Sequence, residues 1–187
     1  MIKRLVDLII AVSAAIIFAA PYMFIMVGVR LSSPGPAIYW SSRAGRKGQL
    51  FMMPKFRSMR IDTPEVATDR LGDAKTFITP FGSFLRRTSL DELPQIYSVL
   101  CGDMSIVGPR PALHNQHELI AKRAAVGIDQ LRPGVTGWAQ INGRDEIALQ
   151  DKLRFDQEYL ARQSLFFDLK IILLTVLAVV RSRGVSH

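Results

Sequence analysis

The sequence predicts an α+β fold, predominantly helical, with a minor β-hairpin and an N-terminal membrane segment. Three observations predict it. Leu8 to Val29 runs without a charge. Several later segments repeat apolar residues near a 3.6-residue period, as in Leu149, Leu153, Phe155, Tyr159 and Leu160. Two short strand-like runs, Ala37–Ser41 and Leu50–Met53, bracket a basic turn at Gly45–Gly48.

The 187 residues suit one domain with a real core. Hydrophobic residues make up 49% and mean hydropathy is +0.18, which excludes a disordered chain. Twenty-four Lys and Arg against 16 Asp and Glu give a net charge of +8, pointing to an anionic partner. Charge alone leaves nucleic acid open. The single cysteine, Cys101, excludes an intramolecular disulfide and a cysteine-built zinc site.

At about 1.5 Å per helical residue the charge-free run reaches roughly 33 Å, against about 30 Å for a bilayer core. It is long for a signal peptide, and Pro21–Phe24 is a poor cleavage site. Pro21 lies near its middle and removes a helical hydrogen bond. Lys3 and Arg4 precede the run; Arg30, Arg43, Arg46 and Lys47 follow it. Basic residues on both flanks suit a helix that enters and returns, since spanning helices bias Lys and Arg to one side. A kinked spanning helix remains equally compatible with the residues.

Beyond the Ser32–Pro36 turn and the hairpin, Asp62–Lys75 is polar and aperiodic, hence a mobile loop. Phe81–Leu100, His114–Ala125 and Asp145–Leu165 read as helices, and Arg132–Arg144 as a glycine-rich loop or short strand. Ile171–Val180 is too short to span comfortably; it is a core helix or an interfacial one.

The densest chemistry is Arg86-Arg87-Thr88-Ser89-Leu90-Asp91-Glu92-Leu93-Pro94. Ser89 and Glu92 match a capping box. Pro94 argues for a start nearer Leu90 or Asp91, because it lacks the N–H a fifth helical residue needs. One carboxylate of the Asp91–Glu92 pair then remains to attack phosphorus and the other to bind Mg²⁺. Arg110, between Pro109 and Pro111, has a restricted backbone, and its guanidinium suits phosphate. Lys55 and Arg57 alternate along an extended segment, usually a solvated face. His114 and His117 have zinc-like spacing but no third histidine nearby. Trp138 suits a core or a base stack. Walker A, GxGxxG, GxSxG and HExxH patterns are absent.

In order along the chain, KRLVDLIIA, Pro21, KFRSM at Lys55–Met59, TSLDELPQ at Thr88–Gln95, GDMSIVGPRP at Gly102–Pro111, RPGVTGWAQINGR at Arg132–Arg144 and DLKIILLTVL at Asp168–Leu177 resemble the bacterial sugar transferase family, the monotopic polyprenyl-phosphate phosphoglycosyl transferases. The resemblance covers nearly the whole chain and is to the small, catalytic-domain-only type. It implies a monotopic protein with a re-entrant helix-break-helix over 1–31, broken at Pro21, and amphipathic interfacial helices. Residues 32–187 would form the catalytic domain on the cytoplasmic face of the bacterial inner membrane. The family often places serine before the proline; here it is Ala20.

The implied reaction passes a sugar 1-phosphate from a UDP-sugar to polyprenyl phosphate, through an aspartyl-phosphosugar, and initiates glycoconjugate synthesis. Asp91 would be the nucleophile, with Glu92 beside it and Mg²⁺ held by the pair. Arg86, Arg110 and Arg144 are candidates for phosphate or nucleotide contacts, with Lys55, Arg57 and Asp168 as further ones. Expected partners are the UDP-sugar, polyprenyl phosphate, membrane lipid and downstream glycosyltransferases, but not nucleic acid. The competing expectation is a basic membrane-anchored protein that binds anionic lipid or nucleic acid without catalysis. It leaves Asp91–Glu92 beside two arginines without a purpose.

Overall fold

The computed structural model describes residues 2–64, 76–143 and 147–180. Helices α1 (Ile2–Ile17) and α2 (Ala19–Ser32) meet at a bend of 63°. The bend lies at Phe18 (φ −93°, ψ 7°), not at Pro21 as expected. A proline ring collides with the carbonyl four residues earlier, here that of Ile17, which ends α1. Pro21 itself then falls in the first turn of α2, where a missing N–H costs nothing. Among the described residues no single helix is long and apolar enough to cross a membrane, though the bent pair together is.

Helix α1 buries charge where a soluble helix would bury apolar side chains, whereas α2 turns Ile25 and Val29 inward. Polar residues of α1 face inward: Asp7 is buried and accepts from Ser105 Oγ (2.9 Å) and the Ile106 amide (3.2 Å). Lys3 Nζ donates to Asp168 Oδ2 (2.8 Å), and Arg4 donates to the Val99 and Leu100 carbonyls (2.7 and 3.1 Å). Meanwhile Ile16, Ile17, Met23, Phe24 and Leu31 stand exposed. The segment is thus fastened to the rest of the chain through its charges and offers its apolar side outward.

Strands β1 (Ile38–Ala44) and β2 (Leu50–Phe56) form the expected hairpin, antiparallel with Trp40 opposite Pro54 and Ser42 opposite Met52. It is longer than the apolar runs suggested. The single helix expected over Phe81–Leu100 is instead two. Helix α3 (Pro80–Arg87) is capped by Thr79, whose Oγ1 accepts from the Gly82 amide (2.9 Å). Ser89 then turns left-handed (φ 57°), Leu90–Glu92 make a 3-10 turn, and α4 runs Gln95–Cys101. Pro94 stands as the N-cap of α4, the place a residue without an N–H fits, and Ser89 precedes only the 3-10 turn, where its side chain makes no capping hydrogen bond.

Strand β3 (Ser105–Val107) pairs in parallel with β4 (Gly134–Thr136), a pairing the sequence did not reveal. The later helices are α5 (His117–Ala125), α6 (Trp138–Ile141), α7 (Leu149–Arg162) and α8 (Leu165–Val180). Asp145 lies outside the described residues, as does most of the loop expected over Asp62–Lys75. On α8, Phe167 and Ile171 are buried against Val107 and Tyr159, while Phe166, Leu169, Leu173 and Val176 are exposed. Helix α8 is therefore a core helix on one side and an apolar surface on the other. One core cluster bears directly on the site: Ile25 and Val29 of α2 pack with Phe56 and Leu85, and Leu90 and Leu93 lie against it.

Candidate active site

The 3-10 turn Leu90–Glu92 points its two apolar flanks, Leu90 and Leu93, at the cluster around α2, and carries Asp91 and Glu92 between them. Glu92 Oε1 receives Lys55 Nζ from β2 at 3.0 Å and Arg110 Nη1 from the loop after β3 at 3.3 Å. The Lys55 and Glu92 side chains are 16% and 19% exposed, so that ion pair is largely shielded from solvent, while Arg110 is more open at 34%. Burial would raise the Glu92 carboxyl, but Lys55 and Arg110 outweigh it and hold it well below the ordinary glutamate range.

Asp91 is the opposite case. It is buried, yet its carboxylate makes no hydrogen bond or ion pair among the described residues. Burial raises its carboxyl above the usual range; the Glu92 charge adds to this, while Lys55, Arg86 and Arg110 oppose it. The two neighbouring carboxylates are thus different instruments, one pinned between cations and one uncommitted within their field.

Of the expected site residues, Glu92, Lys55 and Arg110 come together by contact, while Asp91 is joined to them, and to Arg86 in the last turn of α3, through charge. Arg57 does not join them. Strand β2 ends at Phe56, and the buried Arg57 guanidinium donates to the Ser33 carbonyl (2.8 Å) and to that of Pro34, closing the exit of α2. Asp168 is also engaged elsewhere, accepting from Lys3 and from the Tyr159 hydroxyl (2.7 Å), so it binds α1 and α7 to α8. Arg144 lies outside the described residues. Trp138 is structural: its Nε1 donates to Glu158 (2.8 Å) and its ring rests 5.1 Å from Phe167.

No group of three or more histidine, cysteine, aspartate or glutamate side chains gathers among the described residues, His114 and His117 included. Two adjacent carboxylates, one uncommitted, fit Mg²⁺, which keeps several waters and takes its remaining ligands from substrate phosphates. The surrounding Lys55, Arg86 and Arg110 suit those phosphates.

The pattern of the bacterial sugar transferase family matches residues 1–182. The chain belongs to that family. Among bacterial sugar transferases it is 45% identical to the UDP-glucose:undecaprenyl-phosphate glucose-1-phosphate transferase of Xanthomonas campestris pv. campestris, over 95% of this chain and 38% of that protein. It is 39% identical to the Escherichia coli (strain K12) protein of the same name, over 94% of this chain and 39% of that one. The exopolysaccharide production protein ExoY of Rhizobium meliloti (strain 1021) is 38% identical over 98% of this chain and 88% of its own length. The chain therefore spans about two-fifths of the first two relatives and most of the third.

Proposed function

We propose that this bacterial sugar transferase passes a sugar 1-phosphate from a UDP-sugar to polyprenyl phosphate, releasing UMP and forming polyprenyl-diphosphate-sugar. The observation that carries the proposal is the uncommitted Asp91 carboxylate beside a pinned Glu92, in a basic site whose flanking Leu90 and Leu93 pack against α2. The water-soluble donor is a diphosphate and the acceptor a phosphate on a lipid tail. A cationic site built on an outward-apolar helix pair meets both.

Asp91 Oδ attacks the β-phosphorus of the donor; the bond from that phosphorus to the bridging oxygen breaks, and UMP leaves with the electron pair. The acyl-phosphate sugar on Asp91 is then attacked at phosphorus by an oxygen of polyprenyl phosphate, and the carboxylate leaves. Arg110, Lys55 and Arg86 orient and neutralise the phosphate oxygens. Asp91 and Glu92 would hold Mg²⁺, which when bound neutralises diphosphate charge. Glu92, kept ionised by Lys55 and Arg110, fixes the positions of both cations.

Two relatives carry UDP-glucose in their names, which makes it the first donor to try. Incubated with UDP-glucose and Mg²⁺ but no acceptor, the purified protein should release up to one equivalent of UMP. Intact mass should rise by one hexose phosphate on the peptide containing Asp91, and chelation should suppress the release. UMP that appears only when both substrates are present would replace this path with direct attack by the acceptor.

The same reading makes the α1–α2 pair a re-entrant hairpin on the cytoplasmic face of the inner membrane. The 63° bend, the exposed apolar surface and the basic residues on both flanks support it. In a Cys101→Ser background, single cysteines at Ile2 and at Lys47 should label from the same side of sealed vesicles. Labelling of Ile2→Cys from the opposite side would establish a spanning helix.

A further inference from the structure

We propose that Arg123, held by Asp156, is a positioning residue that fixes the backbone of Arg110 and through it the cationic site. The inference rests on the phosphoglycosyl transfer proposed above.

Arg123 on α5 and Asp156 on α7 are both buried, at 8% and 1% exposure. Arg123 Nε and Nη2 donate to Asp156 Oδ2 at 3.0 and 2.6 Å. A buried pair of this kind is ordinarily a fastener between two helices. Here the guanidinium has a third bond: Nη1 donates to the Arg110 carbonyl at 2.7 Å. The orientation of that third donor is set by Asp156, because the fork is planar and rigid.

The Arg110 carbonyl is one of four consecutive carbonyls that each accept a hydrogen bond, two from backbone amides and two from arginine side chains. Pro109 O accepts from the Gly134 amide (2.9 Å), Pro111 O from Arg43 Nη1 (3.1 Å) and Ala112 O from the Ala44 amide (2.9 Å). Pro109 and Pro111 have fixed φ and no N–H to spend on holding the loop. The carbonyls must carry that load, and for Arg110 the partner is a side chain from a distant helix. The rear of the loop is therefore clamped while the Arg110 guanidinium, in front, reaches Glu92. Small displacements of such a group cost much in rate, since phosphate clamps work through placement.

A double-mutant cycle with Arg110 tests this. Arg123→Lys keeps a charge but cannot make three forked bonds, and Asp156→Asn keeps the shape but loses the charge that orients the fork. Each should lower kcat/KM for the UDP-sugar by about tenfold to a hundredfold in the parent. In an Arg110→Ala background each should cost less than about twofold more, because the residue acts only through Arg110. Melting curves identify the folded variants. Effects that multiply in the Arg110→Ala background, no effect in the parent, or failure of both variants to fold would make the pair a plain core fastener and overturn the inference. A parent protein without UDP-sugar turnover overturns the functional reading and this inference with it. An active parent with multiplying effects overturns this inference alone.

Discussion

Asp91→Asn should reduce UMP release by about a thousandfold or more while leaving the melting temperature unchanged or higher. The amide is nearly isosteric and takes the same place in the 3-10 turn. Asp91 has no hydrogen-bond or ion-pair partner among the described residues to lose. Its oxygen, however, is neutral and attacks phosphorus poorly. The stability half follows from the direction of the carboxyl shift. Burial raises it in the folded state, so folding favours the protonated form and the ionised side chain costs stability above that raised value. Asparagine removes the cost at neutral pH. Glu92→Gln should move stability the other way, because Glu92 is favoured in its ionised form and its two cations would lose their charge partner. An Asp91→Asn protein keeping more than about a tenth of parent activity would remove Asp91 as the nucleophile, with the acceptor attacking directly.

That contrast between neighbouring carboxylates could not be read from the sequence, although the pair itself could. Residue types and Pro94 marked Asp91–Glu92 as unusual, and the proline pair marked Arg110. The partners of Glu92 come from β2 and from the loop after β3, 37 and 18 positions away, and spacing carries no information about such encounters. Arg57 illustrates the opposite failure. Alternation from Lys55 put it on the same side, but β2 ends one residue earlier and the chain turns to close α2. Asp168 read as a polar residue before an apolar run, and its partner Lys3 lies at the other end of the chain. The helices were legible where the 3.6-residue period was sustained, as in α7, and the hairpin from its turn. The split between α3 and α4 was legible only in hindsight, because Pro94 fixes where α4 starts but Ser89 adopts a conformation that serine seldom takes. The β3–β4 pair had the weakest signal, two three-residue strands whose parallel contact depends on glycines spaced far apart.

Those glycines carry the second large expected effect. A Cβ on Gly134 would overlap the Gly108 amide nitrogen and the Thr136 carbonyl oxygen, both backbone atoms that cannot rotate away. The two strands are close because Gly108 N donates to Thr136 O and Gly134 N donates to Pro109 O, each at 2.9 Å. An added methyl must push β3 from β4 and lengthen both bonds. The carbonyl of Pro109 would lose its partner just before Arg110, so the disturbance reaches the site as well as the core. Gly134→Ala should therefore cost about 3 kcal/mol or more, at the upper end for overpacking because the obstacle is backbone. For a chain of this size that corresponds to a fall in melting temperature of about 10 °C. Gly48→Ala is the comparison: its φ is +72° and nothing lies within 4 Å of the added carbon. There only the left-handed conformation is penalised, at about 1 kcal/mol, because the added carbon displaces no neighbouring atom. Gly134→Ala should also lower the yield of the aspartyl adduct, and Gly48→Ala should leave it at the parent level. Equal melting temperatures for the two variants would mean that β3 and β4 can separate without loss, and that the backbone carrying Arg110 is held by Arg123 and Arg43 rather than by the strand pair.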